Sequence, residues 1–142
     1  MRGWDIAAFS DVYSVRRLGT DDVKEILALC RSNPQYYAYC GKEASAELIE
    51  QDLVIVPPGI PAEQKYYIGF FMLHGRLQGR GIGSKLMAEV FAYLRAREIR
   101  RCRLGIDKDN PQSNHFWKKN GFAVIREVER DNGMILLAEK KL

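Results

Sequence analysis

Gln78-Gly79-Arg80-Gly81-Ile82-Gly83-Ser84 is the stretch on which the reading of this chain turns. It stands between an aromatic, β-favouring run, Tyr66 to His74, and an amphipathic segment from Ser84 to about Arg97. On that segment Leu86, Met87, Val90, Phe91 and Leu94 fall along one stripe. Strand, loop and helix are therefore expected in that order. Glycines at alternate positions let main-chain N–H groups turn inward with no Cβ in the way, and the helix start adds free donors and the positive end of its dipole. Such a loop suits a diphosphate, with Arg80 and Lys85 adding charge nearby. Two other phosphate loops fail by residue. The P-loop needs Gly-Lys-Ser/Thr where this chain has Gly83-Ser84-Lys85, and the dinucleotide fingerprint needs a glycine where Ser84 stands. The bland alternative is a glycine-rich turn that only lets a helix pack on a sheet.

Downstream, Cys102 to Ile106 reads as a second strand, so strand, helix and strand make a right-handed βαβ unit with parallel strands. A helix follows from Pro111 to Asn120, opened by a proline whose missing N–H costs little and closed by Gly121. Ala123 to Arg130 and Met134 to Lys140 form a hairpin around Asp131-Asn132-Gly133. Upstream, Val12 to Arg16 is expected as a short strand. A helix then starts at Thr20, with that hydroxyl as cap, Asp21 and Asp22 at its positive end, and Val23, Ile26, Leu27 and Cys30 buried; it stops before Pro34. Ser45 caps another helix, which buries Leu48, Ile49, Leu53 and Val54 and ends at Pro57 and Pro58.

The 142 residues suit one domain, and 46% hydrophobic with 28% charged residues is ordinary for a globular protein. No apolar run approaches the roughly 20 residues of a membrane span, and Asp5, Asp11, Arg16 and Arg17 interrupt the start, so a cytoplasmic protein with no membrane partner is expected. Cys30, Cys40 and Cys102 are too scattered for a disulfide framework or a zinc site and read as reduced thiols. With only His74 and His115 beside them, no metal is expected. The net charge of +4 suits an anionic partner. Nucleic acid is disfavoured, because no helix clusters arginines and no aromatic platform is evident.

Gln78, Gly81 and Gly83, followed by Asn110-Pro111-Gln112-Ser113-Asn114-His115-Phe116-Trp117-Lys118-Lys119-Asn120-Gly121-Phe122, resemble the two signature segments of the GCN5-related N-acetyltransferase (GNAT) family, in the family's order. The resemblance covers roughly Leu73 to Phe122. It implies an α/β fold with a mixed, mainly antiparallel sheet flanked by helices and splayed between the aromatic strand and the Cys102 strand. It also implies acetyl-CoA as co-substrate and a small-molecule amine or protein amino group as acceptor. By the same resemblance, the backbone of Gln78, Gly79, Arg80, Gly81, Ile82, Gly83 and Ser84 would hold the pyrophosphate. Leu73 would pair with the pantetheine arm and Asn110 would sit beside it. The neutral amine would attack the thioester directly, with a backbone N–H stabilising the developing oxyanion.

The chain departs from the family pattern at Trp117 and in the length before its glycine-rich loop, and some roles stay unassigned. Trp117 stands where many members have a tyrosine that protonates the departing thiolate; indole has a donor but no usable acid, so Trp117 is expected to pack against cofactor or core. No general base is assigned, and His74, near the site in sequence, reads as a surface or packing residue. Tyr36, Tyr37 and Tyr39, with Cys40, either line the acceptor pocket or pack in the core. Finally, Gly59 to Gly75 has room for one strand where the family has three, so two central strands are expected to be missing. A stretch lost near Gly69 to Met72 would account for this, and weak stability or strand sharing in a homodimer would follow. Trp117 and the missing strands keep a second reading open, a noncatalytic CoA-binding or regulatory module.

Overall fold

The computed structural model describes residues 4–40, 43–54, 65–131 and 133–142. Pro57, Pro58 and Asn132, and the side chains of Cys40 and Val54, lie outside the described residues. The glycine-rich loop is framed as its sequence predicts. Strand β1 (Lys65–Ile68) precedes it, α4 (Ile82–Arg95) follows it, and β2 (Arg101–Asp107) lies parallel to β1 from Lys65↔Arg101 to Ile68↔Leu104. Next come α5 (Pro111–Lys119) and the hairpin β3 (Ala123–Arg130) and β4 (Gly133–Lys141). β4 inserts antiparallel between β2 and β3, giving a mixed four-stranded sheet in the order β1-β2-β4-β3.

Alternation along β2 decides where the core sits. Cys102, Leu104 and Ile106 point to one face and are almost fully buried beneath Met87, Phe91 and Leu94 of α4, Trp117 of α5, and Leu136 and Ala138 of β4. The N-terminal segment lies over the same helix, with the Tyr93 hydroxyl donating to the Asp5 carbonyl at 2.7 Å and Ser10 to Glu89 at 2.7 Å. A second, smaller cluster joins α1 (Val23–Arg31) to α3 (Ala46–Val54) through Val23, Cys30 and Ile49, with Met72 packed against it.

Three expectations need correction, those for Val12 to Arg16, for Thr20 and for the aromatic strand. Val12 to Arg16 forms no strand, because among the described residues no strand lies alongside it to supply a ladder; a short 3₁₀ turn, Ile6–Phe9, precedes it instead. Thr20 does not cap α1. The chain turns through Thr20–Asp22, and the Asp22 carboxylate reaches back to the Gly19 N–H at 2.8 Å. The tyrosine segment is a helix, α2 (Pro34–Cys40), opened by its proline. The aromatic strand is only four residues long, since the chain leaves the ladder after Ile68 and diverges from β2. Ser45 does cap α3, its hydroxyl accepting from the Leu48 N–H at 3.2 Å. Among the described residues β1 has no second neighbour and no further central strand is present; residues 55–64 lie outside the description.

Candidate active site

Gly79 and Gly81 take φ of 74° and 75°, a left-handed conformation that glycine adopts without a Cβ penalty. This double turn delivers the chain into α4, whose first return bond runs from the Lys85 N–H to the Gly81 carbonyl at 3.1 Å. The N–H groups of Ile82, Gly83 and Ser84 therefore precede the helical ladder, and those of Gly79, Arg80 and Gly81 make no hydrogen bond among the described residues. A cavity of about 360 Å³ lies beside them. Of the residues expected at a cofactor site, it is lined by Leu73, Gln78, Gly79, Gly81, Ile82, Gly83, Ser84 and Trp117. Among the described residues its wall holds Lys119 and His115 and no Asp or Glu, a balance that suits an anion.

Asn110 and Arg80 are not among the lining residues. Asn110 is buried as the cap of α5, its side-chain oxygen accepting from the Ser113 N–H at 3.1 Å. Asn114 staples the same corner, its amide donating to the carbonyls of Asp107, Lys108 and Asn110. Trp117 is buried in an aromatic cluster with Phe71, Phe116 and Phe122 while still forming part of the wall. The three tyrosines separate. Tyr36 lines the cavity, Tyr37 packs against the α1–α3 cluster, and Tyr39 is largely exposed. His74 lies outside the wall and caps the turn at Gly75, its Nδ1 accepting from the Arg76 N–H at 3.3 Å.

Sequence reasoning missed a brace of side-chain amides. The Leu73 carbonyl accepts from Asn33 Nδ2 at 2.9 Å and from Gln78 Nε2 at 3.0 Å, and Gln78 Nε2 also donates to Asn33 Oδ1. Gln112 Nε2 donates to the other end of the Gln78 amide at 2.9 Å, so α1, the loop and α5 are tied at one point. Ser32 adds its hydroxyl, which accepts from the Gly75 N–H at 3.0 Å. Both lone pairs of the Leu73 carbonyl are thus engaged. What the diverging strand offers a ligand is the N–H side: the amides of Phe71, Met72 and Leu73 make no hydrogen bond among the described residues. No pattern flags Asn33 in sequence, since it meets the loop only through the fold.

Cys30 and Cys102 are buried, and burial pushes the Cys102 thiol up to about 12. Neither is a nucleophile. Among the described residues there is no cluster of three metal-ligating side chains, and no helix long and apolar enough to cross a membrane.

Comparison with known proteins agrees with this geometry. The profile of the acetyltransferase (GNAT) family matches residues 20–122. No curated protein matches the chain in sequence. Among solved structures, the PaiA N-acetyltransferase of Thermoplasma acidophilum, in complex with coenzyme A, superposes with a TM-score of 0.63 at 19% identity over 89% of this chain and 97% of its own. An acetyltransferase from Thermus thermophilus gives 0.69 at 20% identity over 91% and 96%. A Salmonella typhimurium acetyltransferase that modifies the N-terminal serine of a 50S ribosomal subunit protein gives 0.69 at 17% identity over 89% and 93%. At these identities the structures speak for the fold, and the profile, spanning most of the chain, establishes that it belongs to the GNAT acetyltransferase family.

Proposed function

We propose that the protein is an acetyl-CoA-dependent N-acetyltransferase that moves the acetyl group to a primary amine by direct attack on the thioester. One observation carries this reading: among the described residues, six consecutive amides, from Gly79 to Ser84, are unspent beside a cavity with no carboxylate in its wall. A bound diphosphate would find those donors pre-aimed, with the positive end of α4 behind them. The free N–H groups of Phe71, Met72 and Leu73 suit the amide-bearing arm of the cofactor and an oxygen that gains charge during transfer. When bound, the cofactor supplies the activated acetyl group; the chain supplies position. Direct attack fits the inertness of Cys30 and Cys102, neither of which can carry an acyl group. The acceptor is a small-molecule amine or a protein amino group, the latter being what the Salmonella structure's activity illustrates for that protein.

Calorimetric titration with CoA, followed by a thiol-release assay with acetyl-CoA over amino acids, polyamines, aminoglycosides and peptide N-termini, tests this. Saturable CoA binding and release with at least one amine class are expected. Absence of CoA binding at millimolar concentration overturns the proposal. Binding of acetyl-CoA without release across the panel would favour the noncatalytic reading, for which Trp117, walled into its aromatic cluster in place of a hydroxyl-bearing ring, is the supporting observation.

A further inference from the structure

Beyond Ile68↔Leu104 the two parallel strands part, and the gap between them is a notch of about 60 Å³. Its wall includes Tyr36, Phe70, Phe71, Trp117, Gly105 and Asp107, and it adjoins the larger cavity, with which it shares Tyr36, Phe71, Ser113 and Trp117. Aromatic faces attract cations, and a carboxylate beside them adds a full opposite charge. No lysine or arginine lines the notch.

Among the described residues Asp107 is a carboxylate without a hydrogen-bonded or ion-pair partner, whereas several charges on the same strands and turn are paired. Glu139 takes Arg103 at 2.6 Å and Arg101 at 3.6 Å, and Lys108 is held by Glu127 at 2.8 Å. Asp107 makes no side-chain hydrogen bond or ion pair among the described residues; Arg130 and Asp109 act on it only through space. Its backbone is fixed, since its carbonyl accepts from the Asn110 N–H at 3.0 Å and from the Asn114 amide at 3.2 Å. Partial burial pushes its carboxyl up, and an arriving cation would offset that cost by pairing with the charged form.

We propose that Asp107 is a specificity-determining residue that, with the aromatic wall of the notch, selects an acceptor bearing a slim, unbranched –CH2–NH3⁺ end. This rests on the reading of the larger cavity as the acetyl-CoA site. The small volume suits an ammonium carried on a methylene. For transfer the ammonium first gives one proton to water; the neutral amine then forms the C–N bond as the thioester C–S bond breaks, and the departing thiolate takes up the proton the nitrogen sheds. The product is a neutral amide, which no longer gains from Asp107, so the same charge that admits the substrate lets the product go.

The test titrates n-propylammonium and, as the uncharged match, 1-propanol, into CoA-saturated and CoA-free protein, followed by NMR shifts. Wild type is compared with Asp107→Asn and with Phe70→Leu, each checked for fold by circular dichroism. Propylammonium is expected to bind Asp107→Asn about tenfold more weakly and Phe70→Leu several-fold more weakly, with propanol and CoA affinities unchanged. Equal propylammonium binding by wild type and Asp107→Asn, or equal binding of propylammonium and propanol by wild type, overturns the proposal. Failure of CoA to bind overturns the acetyltransferase reading instead, and the CoA-free titration still decides the role of Asp107.

Discussion

Gly81 and Gly83 stand two positions apart and serve different ends. At Gly81 an added Cβ would meet nothing within 4 Å, so the cost of a side chain is the left-handed backbone alone, about 1–2 kcal/mol. At Gly83 the Cβ would stand 3.0 Å from the Phe116 ring and 3.3 Å from a Leu73 methyl, so a larger residue overpacks the contact between α4 and α5. We expect Gly83→Val to lose about 1–3 kcal/mol in denaturant unfolding, against a smaller loss for Gly81→Ala, whose larger effect falls on CoA affinity. Unfolding curves and CoA calorimetry on both variants check the split; equal CoA affinity in well-folded Gly81→Ala removes the loop from the binding site. The alternate spacing made the turn legible in sequence. The Phe116 contact was not, because it arrives from a helix more than thirty positions away. Asn110 shows a role that its place in a family motif did not reveal: its side-chain oxygen caps α5.

Elements whose signals are local were read closely. The hairpin, α4 and β2 fall within two residues of their expected bounds, because periodicity and the Asn-Gly turn are written along the chain itself. Val12 to Arg16 and the outer half of the aromatic strand failed because a strand exists only with a neighbour, and that neighbour is set by the topology. The entry to α1 illustrates competition between caps. Asp22 wins over Thr20 because it meets both the Gly19 N–H and the Arg16 guanidinium at 2.6 Å. The Arg16 hydrogen bond, with the Gly19 N–H, holds the Asp22 carboxyl down at about 2. A carboxylate depressed in the folded state adds stability that is present above its unfolded value near 3.8 and is lost as pH falls toward 2. Stability of the wild type should therefore drop across that window more steeply than that of Asp22→Asn. Parallel pH profiles of the two in urea unfolding would contradict the assignment.

At the scale of the molecule, the two apolar clusters differ in size and in what they support. The larger one fixes the sheet, α4 and α5; the smaller joins α1 to α3 and meets the rest through Met72 and the amide brace. Local opening follows buried contact, so amides of α1 and α3 should exchange with deuterium at least about tenfold faster than those of α4, β2 and β4. CoA should slow exchange most from residue 71 to 84 and at the C-terminal turn of α1, where Asn33 meets the loop. Uniform exchange across both clusters, or protection confined to the sheet, would refute this division. At the opposite edge all eight residues of β3 are exposed, including Val124, Ile125 and Val128. That edge was readable as a strand but not as an uncovered one, since what covers a strand is decided elsewhere in the fold.

Position 75 sets the width of the mouth. A Cβ there would stand 2.6 Å from the Ser32 carbonyl, so the end of the first helix and the start of the loop can touch only because that atom is missing. A single methyl would act as a wedge, prising Ser32 and Asn33 away and freeing the Gly75 N–H that the first holds and the Leu73 carbonyl that the second holds. The seam between helix and loop is thereby calibrated by one absent carbon.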